Sequence, residues 1–424
     1  MPQQTPSRRS FLQTTAAASA AIALSQIATV AHAQSSSDKI KVGLIGCGGR
    51  GSGAAQDCMT SNDGVELIAM ADMFPDHMSD AKRKLKEALG AKYAVSDENC
   101  FLGFDAYKKV LAMDVDLVIL ATPPGFRPGH IAAAVDAGKH VFAEKPVATD
   151  PVGARSVMES AKKFKEKKLA FVCGTQRRHQ ASYLDIIGRI HEGAIGDLTG
   201  GSCYWNCGGL WMHPREGGWS DMEWQLRNWL YFTWLSGDHI CEQHVHNLDV
   251  MNWCLKDHPV SAYGMGGRQV RTDPAYGHIF DHFTIEYTYP SGAKITSMCR
   301  QMDGTDPRVS EYLVGTRGKA DPGGWIRAGE QSYKHKGQPG ILGPYQQEHK
   351  DLITSIRQGE PLNEAQRIAE STMTAIMGRL SAYTGKEITW DQMMDSKLNL
   401  FPEKLEMGPL AVPPVAVPGK EPWV

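Results

Sequence analysis

From residue 39 to about 150 the apolar positions alternate between two periods. Ile40-Lys41-Val42-Gly43-Leu44-Ile45 has strand character, and 65–71 and 140–143 repeat it. Segment 115–121 is almost continuously apolar, as a strand covered on both faces should be. Helical spacing appears over 51–60, 76–89 and 128–137, the last closed by Gly138. A helix over 151–168 and a short strand over 169–173 follow. Repeated strand–helix units predict a doubly wound parallel α/β sheet with ligands at the carboxyl ends of its strands.

Past Gly174 the period becomes two. Segments 198–205, 260–270, 280–289, 293–302 and 311–314 read as strands of a large, mostly antiparallel open sheet. Tyr289-Pro290-Ser291-Gly292 is the expected turn of one hairpin. Helices return over 345–358 and 364–384. The tail carries Pro409, Pro413, Pro414 and Pro418 and reads as an extended arm, since proline lacks the donor a helix needs. The expected division is a leader over 1–33, a dinucleotide-binding domain over 39–150, a second α/β domain over 151–403 and a proline-rich tail over 404–424.

The first strand breaks into Gly46-Cys47-Gly48-Gly49-Arg50-Gly51, and Asp72 closes the second strand about 20 residues on. Spaced glycines let a turn tighten, a pyrophosphate approach the backbone and the helix sit close to the strand. With strand, helix and acid all in place, the segment predicts a dinucleotide site.

Composition narrows the partners. A net charge of −2 disfavours a nucleic-acid or anionic-membrane surface. The basic run 162–168 has helical spacing and reads as a solvated face. Nine cysteines in a chain of 424 residues do not form a disulfide framework. Cys203 and Cys207 share one strand face and read as buried thiols. At the start, Ser7-Arg8-Arg9-Ser10-Phe11-Leu12 precedes a mildly apolar stretch and Ala31-His32-Ala33, which resembles a twin-arginine export signal with its cleavage site. That stretch is too short and alanine-rich for a lasting membrane span. The expectation is a periplasmic or otherwise exported protein that uses the twin-arginine machinery.

Three groups carry candidate chemistry. Glu144-Lys145-Pro146 follows a strand, so Lys145 should sit at the ligand edge of the sheet, where an ammonium can hydrogen-bond a substrate hydroxyl and relay its proton. A surface pair with Glu144 is the plainer alternative. Read as one helix, 237–249 puts Asp238, Glu242, His246 and Asp249 on a single arc, with His239 at its border. Acid–imidazole neighbours suit proton transfer. A metal site is the rival, but His244 points away from His239 and His246 on a helix, so no metal ligand is assigned. Seven tryptophans crowd 205–253, and Trp211, in the loop-like stretch 208–218, is a candidate face for a sugar ring.

The glycine fingerprint, Ala121-Thr122-Pro123-Pro124, Glu144-Lys145-Pro146-Val147, His246-x-x-Asp249 and Gly315-Thr316-Arg317-Gly318 together resemble the Gfo/Idh/MocA oxidoreductase family, over nearly all of 39–403. The resemblance implies a cofactor cradle of Gly46, Gly48, Gly49, Arg50, Gly51, Asp72, Thr122, Pro123, Glu144 and Lys145. It implies Lys145 and His246 as the proton-transfer pair, with Glu242 orienting the imidazole. Asp249, Arg178, His179 and Trp211 are the expected substrate contacts. The expected cofactor is NAD, with NADP as the alternative that Asp72 disfavours, and export implies that it is tightly bound. The implied activity is hydride transfer to or from a sugar or polyol hydroxyl carbon in a homo-oligomer. NAD-dependent cleavage of a glycoside and non-catalytic sugar binding are the alternatives. Glu242 and His244 stand where the family commonly has aspartate and glycine, so substrate identity does not carry over.

Overall fold

The computed structural model describes residues 39–422 apart from Gln338; the leader call over 1–33 and the last two tail residues lie outside them. The first half runs β1 (Ile40–Ile45), α1 (Gly49–Thr60), β2 (Val65–Asp72), α2 (Pro75–Leu89), β3 (Cys100–Leu102), α3 (Ala106–Leu111), β4 (Leu117–Leu120), α4 (Arg127–Asp136), β5 (His140–Ala143), α5 (Pro151–Glu166) and β6 (Phe171–Cys173). Its six strands lie in the order β3-β2-β1-β4-β5-β6, all parallel. Val42, Leu44, Leu117 and Ile119 are fully buried, because helices cover both faces of the sheet. The order reverses between β1 and β4, which opens a crevice at their carboxyl ends. This sheet continues past Asp150 to Cys173.

The second half runs α6 (Ala181–His191), β7 (Leu198–Cys207), α7 (Asp221–Arg227), α8 (Thr233–Ser236), α9 (His239–Glu242), α10 (Val245–Leu255), β8 (Ser261–Gly267), β9 (His282–Thr288), β10 (Lys294–Gln301), β11 (Arg308–Gly315), β12 (Gly318–Asp321), β13 (Trp325–Ala328) and β14 (Gln331–Lys334). It ends with α11 (Pro344–Gln358), α12 (Ala365–Thr384), β15 (Ile388–Thr389) and α13 (Trp390–Asp395). The nine-stranded sheet has the order β14-β13-β12-β11-β7-β10-β9-β8-β15. Only β7 and β10 pair in parallel, so the expected open, mostly antiparallel sheet is present. Gly292, at φ +82°, closes the β9–β10 hairpin.

Helix α12 joins the halves. It is buried along most of its length, and it contacts α5 on one side and β8 and β9 on the other. Thr372 Oγ1 accepts from the Val147 N–H at 3.3 Å, fixing the strand end that carries Lys145. The described tail, 404–422, has no helix or strand and lies on the second half, where Gly408 and Leu410 exchange hydrogen bonds with α7. Among the described residues no helix is long and apolar enough to cross a membrane.

Candidate functional site

The crevice begins at the glycine turn. Gly46 has φ +97°, and a Cβ there would lie 2.6 Å from the Ala121 carbonyl carbon. A Cβ on Gly51 would lie 1.9 Å from the Gly46 oxygen, so β1 and α1 approach as only glycine permits. A Cβ on Gly48 or Gly49 would meet nothing within 4 Å. That open side, with no side chain capping α1, leaves first-turn N–H groups for a pyrophosphate. The fit to a dinucleotide therefore rests on this chain's own backbone.

Asp72 Oδ2 accepts from the Cys47 N–H at 2.6 Å and Oδ1 from the Phe74 N–H at 2.9 Å. His77 Nδ1 lies 3.4 Å from the same carboxylate, and that contact raises the imidazole's pKa against the opposing effect of burial. Gly46, Gly48, Asp72, Thr122 and Pro123 line one cavity. Thr122 Oγ1 contacts His130 Nδ1 at 3.2 Å; burial lowers the His130 pKa to about 3, so the ring is neutral.

Arg50 and Glu144 join the glycine turn to the β5 end through a 2.9 Å ion pair, and Arg50 also lies over the Tyr345 ring. Behind them Glu348 is buried with neither carboxyl oxygen hydrogen-bonded. Burial first, and then the Glu144 charge, push its pKa well above the ordinary carboxylate range. The alternative surface pair between Lys145 and Glu144 is absent, because Arg50 takes Glu144.

Lys145 reaches the other way. Its Nζ donates to Glu242 Oε1 at 2.9 Å and to the Glu242 backbone carbonyl. Local structure makes the second bond available. The segment read as one helix is two: α9 stops at Glu242, and α10 starts at Val245. In an unbroken helix the His246 N–H would bond the Glu242 carbonyl; here it bonds Gln243 O at 3.3 Å, freeing that carbonyl for Lys145. The break also corrects the expected arc. Asp238, at φ +72°, turns inward to accept from Phe280 N–H and Tyr383 O–H, away from Glu242.

Glu242 makes no hydrogen bond to His246, so the expected orienting contact is replaced by the pair with Lys145. The His246 ring stacks on Trp205 at 5.7 Å, and its Nδ1 is buried without a hydrogen-bond partner. Burial, then the Lys145 ammonium and the Arg177 guanidinium, hold its pKa well below the ordinary value. A neutral imidazole thus stands beside an ammonium held by Glu242. His239 binds Asp238 and His244 binds Ser297, so the three imidazoles diverge. Among the described residues no three His, Cys, Asp or Glu side chains gather as a metal would need.

The four expected substrate contacts have other partners. Arg178 grips Asp249 through two side-chain bonds of 2.8 and 3.0 Å, and Asp249 also accepts from Ser371. His179 is buried between Asp351 at 2.7 Å and Glu364 at 3.6 Å; burial would lower its pKa, but these two carboxylates raise it to about 9. Arg367 completes this buried network through Glu364 and Asp249. It ties α10 and α12 to the turn after β6, leaving these side chains engaged with one another. Trp211 is 42% exposed, and its ring neighbours are His213, Trp229 and Tyr231. Glu364 and Arg367 escaped sequence reading, since one acid and one base on a long helix look like an ordinary i, i+3 surface pair.

Three family models match the chain. A model of an oxidoreductase family with an NAD-binding Rossmann fold covers 40–172, the GFO/IDH/MocA C-terminal domain covers 183–321, and a twin-arginine translocation signal covers 5–25. Inositol 2-dehydrogenase 3 of Saccharopolyspora erythraea is 27% identical over 60% of the chain and 65% of its own length. The 2,7-anhydro-N-acetylneuraminate hydratase of Escherichia coli is 28% identical over 43% of the chain and 45% of its own length. The chain thus spans under two thirds of these relatives. The crystal structure of aldose-aldose oxidoreductase from Caulobacter crescentus, complexed with glycerol, aligns with TM-score 0.65 at 17% identity, over 83% of this chain and 99% of that one. This last likeness shows a shared fold.

Proposed function

Since the chain belongs to the Gfo/Idh/MocA family of NAD-binding oxidoreductases, we propose that it transfers a hydride between a tightly held NAD and a CH–OH carbon of a sugar or polyol, after export to the periplasm. One observation carries the reading. Lys145, at the carboxyl edge of the parallel sheet, is held by both the carbonyl and the carboxylate of Glu242 from the second half, beside a neutral His246.

When bound, the nicotinamide supplies the hydride acceptor or donor. The chain's own residues supply the rest. The Lys145 ammonium hydrogen-bonds the reacting hydroxyl, with Glu242 fixing its position. His246, neutral in the resting site, takes the hydroxyl proton during oxidation and returns it during reduction. Gly46, Gly48, Gly49, Arg50, Gly51, Thr122, Pro123 and Glu144 form or brace the cradle. Asp72 favours NAD over NADP, because a carboxylate repels a 2′-phosphate. Asp249, Arg178 and His179 act as positioning residues that hold the wall of the site.

The twin-arginine match marks the chain for export. Free dinucleotide is scarce outside the cytoplasm, so a cofactor that travels with the folded protein must be regenerated in place by a second sugar. The exposed Tyr263, Met265 and Val314 on one face of the nine-stranded sheet fit a homo-oligomer contact through that face. The relative named as a hydratase supports a second reading, in which transient oxidation serves elimination and hydration. Incubating the purified protein with a panel of sugars, inositols and aryl glycosides, without added NAD, separates the two. Sugar-dependent appearance of reduced nicotinamide supports redox; aryl-glycoside cleavage without net reduction supports the second reading. Tight sugar binding with neither signal would overturn both.

A further inference from the structure

The cavity that holds Asp72 and Thr122 is not walled by the first half alone. Its outer side is closed by Leu226 and Trp229, which follow or end α7 in the second half. These residues join Phe74 in one apolar cluster, and Phe401 and Leu410 of the C-terminal segment pack against it. A wall contributed by a distant part of the chain must be fastened to the pocket it closes.

Arg227 is the fastening. Its Nη1 and Nη2 bond the Asp76 carboxylate of α2 at 3.0 and 3.3 Å, and its Nε bonds Glu223 at 3.0 Å. The guanidinium lies 4.0 Å from the Phe74 ring centroid and 5.0 Å from that of Trp219. Arg227 thus holds α2, just past Asp72, against α7. The wall is braced from behind as well: Gln225 donates to Leu410 O at 2.8 Å, and Met222 N–H to Gly408 O at 3.1 Å. The Asp72 end of a doubly wound crevice receives the adenosine half of a dinucleotide.

We propose that Leu226 and Trp229 form the outer wall of the adenosine pocket and that the Arg227–Asp76 pair latches this wall shut, making the dinucleotide a resident group. The inference rests on the dinucleotide reading above and adds the residues that retain it. Trp229 offers a flat apolar face to the base, and escape of the adenosine requires the α7 wall to part from α2. The latch is a local contact, so it sets the rate of escape without touching the Lys145 site.

The test uses the full chain loaded with NAD. Bound NAD is chased with an excess of isotopically labelled NAD, and exchange is followed by native mass spectrometry. Arg227→Met and Asp76→Asn are compared with the unmodified protein; Asp76 is surface-exposed, so its isosteric change leaves the core intact. Losing the bidentate pair should speed exchange severalfold in Asp76→Asn, and losing the cation–π contacts as well about tenfold in Arg227→Met, with the double variant no faster than Arg227→Met. Trp229→Leu should speed exchange with the latch intact. Equal exchange rates in all proteins, with NAD bound, would overturn the latch and leave the dinucleotide reading standing. Failure of the unmodified protein to bind NAD would overturn that reading and the latch together.

Discussion

Replacing His349 by leucine should make the protein more resistant to acid. His349 lies on α11 against Phe142, with ring centroids 4.1 Å apart, and neither ring nitrogen has a hydrogen-bond partner. Burial, then the Arg50 and His179 charges, lower its pKa to about 3. A folded-state value below the unfolded 6.5 means that the stability contributed by the neutral ring is present above pH 6.5 and is lost as pH falls. By about pH 5.5 the unfolded chain gains about 1.4 kcal/mol from protonating one such histidine. His130 and His244 are likewise lowered to about 3 and His278 to about 4, in each case by burial first, and His246 is lowered too. His179, raised to about 9, stays protonated in the folded protein across this window while the unfolded imidazole takes up its proton only as pH falls, so it returns about 1.4 kcal/mol. The four histidines lowered to about 3 or 4 together amount to about 5.6 kcal/mol by pH 5.5, with His246 adding to them, while His179 and the raised carboxyl of Glu348 return part of it. Urea titrations followed by tryptophan fluorescence, at about pH 7.5 and 5.5 and fixed NAD, give the difference. His349→Leu should gain about 1.4 kcal/mol more over wild type at the lower pH than at the higher. An equal difference at both pH values would refute the reasoning.

The other predictions concern the cradle and its surroundings. Gly51→Ala puts a methyl group 1.9 Å from the Gly46 oxygen and should abolish dinucleotide binding measured by calorimetry, whereas Gly48→Ala should leave the apo fold and its melting temperature unchanged. Glu348→Gln should be tolerated, since the carboxyl is already neutral. The raised pKa of Glu348 means that its contribution is full below pH 4.5 and is lost as pH rises through the folded value, so the variant's stability relative to wild type should grow with pH in the same urea assay. His246→Ala should slow sugar-dependent reduction of bound NAD by about 10²–10⁴-fold, the usual worth of a positioned acid–base group, with dinucleotide content unchanged.

Local signals were enough for the parallel sheet, the glycine turn and the strands of the second sheet, because each is written in periodicity or in a steric demand. Gly46 and Gly51 are where a backbone contact forbids a side chain, and that demand shows as glycine in the sequence. The substrate wall was not legible in the same way. Arg178, His179 and Asp249 have the residue types of ligand contacts, yet Asp351, Glu364, Arg367 and Ser371, far away in sequence, engage them. The break after Glu242 was hidden as well. Helical spacing runs straight through 237–249, and only the tertiary claim of Lys145 on the Glu242 carbonyl shows why the helix stops there. Leu226 and Trp229 read as ordinary core residues until α7 is placed over the Asp72 pocket.

The central claim is that Lys145 holds the reacting hydroxyl for proton transfer to His246 at a site whose cofactor remains bound. Lys145→Met should be purified with its dinucleotide and mixed with the sugar that reduces the wild-type protein, while the near-ultraviolet absorbance of reduced nicotinamide is followed over a single turnover. The account predicts full dinucleotide occupancy and reduction slowed by about 10²–10⁴-fold. Reduction at the wild-type rate in a fully occupied Lys145→Met protein would contradict it.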